Sequence, residues 1–372
     1  MEYNTATVLP ELKLQPVCGA AFSIARYKIK LNFFLELNNI ITQHINCCEH
    51  KTWNGYRLIA GDGTTVNLPP SPQIKNHFGI TEVTKGNTHI CLANACMLYD
   101  VQSGLVLDTV ICPYTIGEST VMNHMLDTNH FGEAIILLDR GFGYFATIKR
   151  LIINNFHFCV RIKAAQSNFA KIIQSNPLSD FITDWHPSDS ERSTSKENGL
   201  DTASIKVRVT KVKLSTGEIE ILVSSISLMD TIDKLDMKQL YKMRWGVEEG
   251  FKKLKPKMKL EQFGCRRPEG IYQEFYAHIF MMNLVTIIGN EAEDIILKKI
   301  KDRKLKYKYN WQNAFLFVRN KFISIFSLGN FKNYLECTLE QISKSLIAIR
   351  DGRHFARNSG GKGKSRYTQC YK

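Results

Sequence analysis

One carboxylate, Glu248, stands among cations and a phenol in the stretch DKLDMKQLYKMRWGVEEGFKKLKP, from Asp233 to Pro256. Taken as one long helix at 100° per residue, Tyr241, Arg244, Glu248, Lys252 and Lys255 fall within about 80° of one another. Such an arc can do phosphate chemistry, with Arg244 gripping through its planar fork and Lys255 as a point charge. The plainer reading of an acid on a helix surface is a solvated charge. Two further acids have suggestive settings. Asp62 lies between Gly61 and Gly63 in YRLIAGDGTTVNLP, where the absence of flanking side chains lets a metal ion and a phosphate approach the backbone; a turn Asp between glycines reads as well. Asp139 ends the apolar run Ala134–Leu138, and α/β sheets bind ligands at the carboxyl ends of their strands.

The elements around these residues follow from periodicity. Leu240, Met243, Val247, Phe251 and Leu254 form a core-facing stripe beside the charged arc. Alternating Leu58, Ala60 and Asp62 predict a strand that delivers Asp62 to its end. HICLANACMLYD and GLVLDTVICPY read as a hairpin, ESTVMNHMLDTNH as a helix, and AIILL as a central strand covered on both faces. A helix from about Phe142 to Asn154 and a strand in FHFCVRI follow. From Lys163 the sequence becomes rich in Ser, Asn and Asp, then gives two alternating runs around Ser215-Thr216-Gly217, a second hairpin. EQFGCRRPEGIYQEFYAHIFMMNLVTIIGN reads as a return helix with Cys265-Arg266-Arg267 in the turn before it, and WQNAFLFVRNKFISIFSLG as another helix. Near the N-terminus, AAFSIARYKIKLNFFLELNNIITQHI has an amphipathic helical pattern.

The chain has 372 residues, a formal net charge of +14 and a pI near 9.2. That balance favours an acidic polymer, nucleic acid first, because each cation that neutralises a phosphate releases counterions. MEYNTATVLPELKL lacks the parts of a signal peptide, and the apolar run HIFMMNLVTII is too short to span a bilayer. A soluble, cytoplasmic protein with no membrane partner is expected. The ten cysteines are scattered through apolar runs and read as reduced core residues. His44, Cys47, Cys48 and His50, and the pair Cys91 and Cys96, lack a second half with zinc-ligand spacing. SGGKGKS near the C-terminus lacks the first glycine of a phosphate-binding loop and a preceding strand, so residues from Asp351 read as a basic arm.

The spacing Tyr241, Arg244, Glu248, Lys255 matches the YREK signature, and with DGT at Asp62 and DRGF at Asp139 the chain resembles the DDE transposases of bacterial insertion sequences, insertion-sequence-four group, over roughly Ala20 to Asn290. The resemblance implies an α/β, ribonuclease H-like catalytic core, a mixed sheet flanked by helices, interrupted by a β-rich insertion and bordered by helical N- and C-terminal regions. It divides the chain into a helical DNA-binding region (1–52, shorter than the family usually carries), a core in two parts (53–163 and 231–300) around the insertion (164–230), and a helical and basic C-terminal region (301–372). It makes Asp62, Asp139 and Glu248 the catalytic and metal-binding acids, holding two Mg2+ ions with Mn2+ as a substitute. Tyr241, Arg244 and Lys255 would contact double-stranded DNA, with Lys252, Arg266 and Arg267 as further DNA candidates. Trp185 is the candidate for stacking on a flipped base, against a packing role near a domain junction. A homodimer on DNA, in the cytoplasm at a bacterial nucleoid, is the expected working form. A DNA-binding relic without catalysis and a stand-alone nuclease of the same fold are the alternatives.

Overall fold

A computed structural model of the chain describes residues 17–47, 51–82, 89–163, 168–214, 216–301, 304–327 and 331–349. They form two compact units, the first holding Thr42–Val66 and Leu92–Lys252, the second the remaining described residues. The zinc-like His50 and Cys48, Ser215 and the basic arm lie outside the described residues. In chain order, α1 (Gly19–Arg26) and α2 (Phe33–Cys47) lead to β1 (Arg57–Leu68), α3 (Pro72–Phe78), β2 (Thr81–Glu82), β3 (His89–Asp100), β4 (Leu105–Pro113) and α4 (Glu118–Thr128). Next come β5 (Ala134–Leu138), α5 (Phe145–Ile153), β6 (His157–Ile162), α6 (Asn168–Ser175), β7 (Asp180–Trp185), α7 (Asp189–Glu197), β8 (Ile205–Lys213) and β9 (Ile219–Ser224). Then follow α8 (Lys234–Met243), α9 (Gly246–Lys252) with a π turn over Lys253–Lys257, α10 (Pro268–Glu291), α11 (Glu293–Ile300), β10 (Tyr307–Tyr309), α12 (Trp311–Ser327), α13 (Phe331–Lys344) and β11 (Leu346–Ala348).

The first unit is built on a mixed sheet in which β3 lies beside β1, β5 and β6 continue parallel to β1, and β9, β8 and β7 extend the sheet antiparallel. β4 pairs antiparallel with β3. This is the expected ribonuclease H-like core, and the β-rich segment between β6 and α8 continues its sheet. β5 is buried along its whole length, as a strand covered on both faces requires. On one face Ile59, Leu98, Ile136 and Phe158 pack with Met122 and Met125 of α4 and Phe145 and Ile148 of α5. The alternate residues, Leu58, Ala60, Ile135 and Leu137, are also fully buried and turn to the other face. There Gly246 and Gly250 let α9 approach closely: a Cβ at 246 would lie 2.8 Å from Val101, and one at 250 would lie 3.1 Å from Tyr99. Buried Arg208 of β8 pairs with Asp180 of β7 at 2.7 Å and donates to the carbonyls of Leu228 and Ile232, which fixes the approach to α8.

Two helical expectations need correction, and the strand through Asp62 runs on to Leu68 instead of ending at that acid. The stretch from Asp233 is not one uniform helix. Arg244 and Trp245 form turn bonds to Tyr241 and Lys242, and Val247 and Glu248 bond to Arg244 and Trp245, all three residues back. This tightened segment brings Arg244 inward, 4% exposed, and leaves Met243 half-buried. Beyond it, Pro256 supplies no N–H, and the helix widens into the π turn. The N-terminal pattern splits into α1 and α2, because Gln273 of α10 takes the carbonyl of Ile29 at 2.9 Å while Arg26 is drawn to Glu274 at 2.8 Å. The polar stretch after Lys163 holds α6, β7 and α7. A capping box between Ser188 and Glu191 starts α7, a signal present in the sequence as Ser-x-x-Glu.

In the second unit, α10 is the central helix. Asn38 of α2 donates to the carbonyl of Tyr276, and the Trp311 indole of α12 donates to Thr286 at 3.1 Å. Among the described residues, no helix is long and apolar enough to cross a membrane.

Candidate active site

Parallel pairing of β1 with β5 sets Gly61 opposite Leu138, so Asp139 follows at the carboxyl end of β5 and Asp62 lies beside it within β1, which runs on to Leu68 past the end of β5. Gly61 is required by this pairing: a Cβ there would lie 2.5 Å from the Leu138 side chain. Each acid is held by local backbone, Asp62 accepting from the Gly63 N–H at 2.9 Å and Asp139 from the Arg140 N–H at 2.6 Å. From α8 the Tyr241 hydroxyl donates to Asp139 Oδ1 at 3.4 Å. From the tightened turn Arg244 Nη2 reaches Glu248 Oε1 at 3.4 Å, and the guanidinium lies near the rings of Tyr241 and Trp245.

Electrostatics tie the group together. Burial pushes the Asp62 carboxyl up to about 6; the Gly63 N–H and Arg244 oppose the shift, and Asp139 and Glu248 add to it. Burial works against the charge on Arg244, but Tyr241, Asp139, Asp62 and Glu248 outweigh it and raise its pKa. Burial also raises the Tyr241 phenol well above its ordinary value, so it stays a hydrogen-bond donor at neutral pH. Among the described residues Arg244 Nε is buried with no hydrogen-bond partner, and such an atom can take a further acceptor.

The other sequence candidates have partners of their own. Lys252 is exposed and pairs with Glu249 at 2.6 Å. Lys255 belongs to the second unit, where it pairs with Glu261 at 3.5 Å. Arg266 and Arg267 precede α10 in that unit; the Arg266 carbonyl accepts from Ser71, and the Arg267 guanidinium lies over the Tyr27 ring at 5.1 Å. Tyr241 and Arg244, expected at DNA, are 5% and 4% exposed here and turn their polar atoms to the acids. Trp185 is corrected outright. At 2% exposed it stacks on Phe169 at 4.2 Å and meets Phe145 edge-on, so it has no free face for a base.

Residues 53–284 match the family model of the transposase DDE domain, more than half of the chain. The chain belongs to the DDE transposase domain family. No curated protein matches the sequence. Among solved structures, this DDE-domain chain is similar to a piggyBac transposase determined by cryo-EM in a synaptic complex with hairpin DNA, at 11% identity and a TM-score of 0.43, over 82% of this chain and 60% of the other. It thus spans about three-fifths of that protein's length.

Whether Asp62, Asp139 and Glu248 suit divalent ions depends on donors and spacing. Among the described residues no group of three or more His, Cys, Asp or Glu is gathered closely enough to hold a metal ion. The donor set itself fits a hard cation, since it is made of carboxylate oxygens. Burial is the main reason the Asp62 carboxyl is raised, and the charges of Asp139 and Glu248 add to it, a balance that a divalent cation would reverse. Glu118, the first residue of α4, lies against Gly63 beside Asp62, and nothing in the sequence around it marks it.

Proposed function

We propose that this DDE-domain protein is a DNA transposase that cleaves at the ends of its mobile element and joins the freed 3′ hydroxyl to target DNA. The observation that carries this reading is Arg244, buried and in electrostatic contact with Asp62, Asp139 and Glu248 together, within a DDE-family chain. Asp62, Asp139 and Glu248 would hold two divalent ions. When bound, magnesium, or manganese in its place, would activate water or the 3′ hydroxyl and stabilise the leaving oxygen. Tyr241 orients Asp139 through its hydroxyl, and Arg244 keeps Glu248 facing the other acids. The unpartnered Arg244 Nε suits a phosphate oxygen.

The net charge of +14 supports double-stranded DNA as the partner. Lys252, Lys255, Arg266 and Arg267 are the proposed phosphate contacts. A groove of about 390 Å³ lined by Lys211, Lys213, Lys234 and Lys238 offers a further basic surface. On the Tyr241, Arg244, Glu248, Lys255 spacing, the chain is assigned to the bacterial insertion-sequence-four group. It would act as a dimer at the nucleoid, residues 1–52 recognising element ends and 301–372 adding backbone contacts.

The test is incubation of purified protein with a labelled duplex carrying the element's own end, a target plasmid and magnesium. Joined products that disappear in Asp62→Ala are expected. Cutting without joining would indicate a nuclease, and binding without either a DNA-binding relic.

A further inference from the structure

Glu118 is the first residue of α4, and its carboxylate lies directly on the main chain of Gly63. A Cβ at residue 63 would sit 2.5 Å from the Glu118 carboxyl carbon and 2.7 and 2.8 Å from its two oxygens. Those oxygens have no hydrogen-bond or ion-pair partner among the described residues. A half-buried carboxylate held against backbone with no partner costs free energy that a solvated rotamer would avoid. Its position therefore asks for a group that compensates it.

Side chains alternate along β1, so Gly61 and Gly63 face α4 while Asp62 turns to the other face. Glu118 from α4 and Glu248 from α9 thus approach β1 from opposite sides of the sheet, where it passes the end of β5. Beneath them, Cys96 donates from Sγ to the Glu118 carbonyl at 3.7 Å. Independently, the buried Nε of Arg244 lacks a partner among the described residues, and its guanidinium lies in the field of Asp62, Asp139 and Glu248. An unsatisfied cationic donor and an unsatisfied carboxylate on the two sides of β1, beside the end of β5, mark a site that gains a ligand on both sides, a cation with its bound phosphate.

We propose that Glu118 is a fourth carboxylate of the ion-binding site, and that residue 63 is glycine because the Glu118 carboxylate occupies the space of its missing Cβ. The inference rests on the reading of Asp62, Asp139 and Glu248 as ion ligands. Glu118 adds oxygen donors from the α4 face, where Asp62 cannot turn.

The experiment is titration of the metal-free full chain with Mn2+, followed by calorimetry and by the electron paramagnetic resonance of free Mn2+. Glu118→Gln, which keeps the side-chain volume, should weaken Mn2+ binding about tenfold. Glu248→Gln serves as the reference. Weakened binding in Glu248→Gln with wild-type affinity in Glu118→Gln overturns the fourth-carboxylate proposal alone. Wild-type affinity in both variants overturns the reading of the acids as ion ligands. Packing is separated from ligation by a second pair. Gly63→Ala should lower both thermal stability and Mn2+ affinity by displacing Glu118, and adding Glu118→Ala should restore stability and leave Mn2+ affinity low. Recovery of affinity in that double variant would reduce Glu118 to a packing role and overturn the proposal.

Discussion

Arg244 reaches Glu248 across a tightened helical turn, its side chain 5% exposed and the carboxylate's 31%. The same guanidinium feels Asp62 and Asp139, so one cation balances acids contributed by two strands and a helix. Removing it leaves those carboxylates facing one another. Arg244→Ala should lower stability by about 2 kcal/mol at pH 8, and by less near pH 5, where protonation relieves the repulsion. Urea unfolding at the two pH values measures this; an equal loss at both would mean that packing, and not charge, is what Arg244 supplies.

Asp62 predicts a pH dependence of the opposite kind from a salt-bridged acid. Its carboxyl is raised by burial from 3.8 to about 6, so the folded chain binds the proton more tightly than the unfolded one. Its contribution is fully present below about pH 4 and is lost as pH rises through 6. The resulting penalty at neutral pH is about 3 kcal/mol. Asp62→Asn should therefore match the wild type near pH 4 and exceed it by about that amount at pH 8 in metal-free buffer. Magnesium should stabilise the wild type and leave Asp62→Asn little changed.

Glu248→Ala should abolish cleavage while leaving affinity for an element end within a few-fold of wild type. The split arises because Glu248 faces the other acids and Arg244, not an exposed basic surface. Cleavage by this variant at the wild-type rate in magnesium would remove Glu248 from the catalytic group.

Trp185→Ala should destabilise the first unit by about 3 to 5 kcal/mol, the range for removing a fully packed aromatic. Its stacking on Phe169 and edge contact with Phe145 are the interactions lost. At a temperature where the variant is folded, its DNA affinity should equal that of the wild type in a filter-binding assay; a specific loss would reinstate a role at DNA.

Lys255→Ala should weaken binding to an element end and flatten the dependence of affinity on salt by roughly one phosphate contact. Its pairing with Glu261 at 3.5 Å is long and partly exposed, so exchange for a phosphate costs little. An unchanged salt slope would show that Lys255 stays with Glu261 when DNA is bound.

The local sequence determined the strands that carry Asp62 and Asp139, the β3–β4 and β8–β9 hairpins and the buried stripe of Leu240, Val247, Phe251 and Leu254, because alternation and helical repeat are properties of neighbouring residues. The Ser188 capping box was equally legible. Only the tertiary structure decided that Tyr241 and Arg244 turn inward to the acids. That depends on the tightened turn at Arg244 and on glycines at 246 and 250, whose significance comes from Val101 and Tyr99, far away in the chain. Tertiary packing also turned Trp185 into a core residue and laid Glu118 against Gly63. A side chain's partners across a sheet are set by which surfaces meet, and no local pattern encodes them.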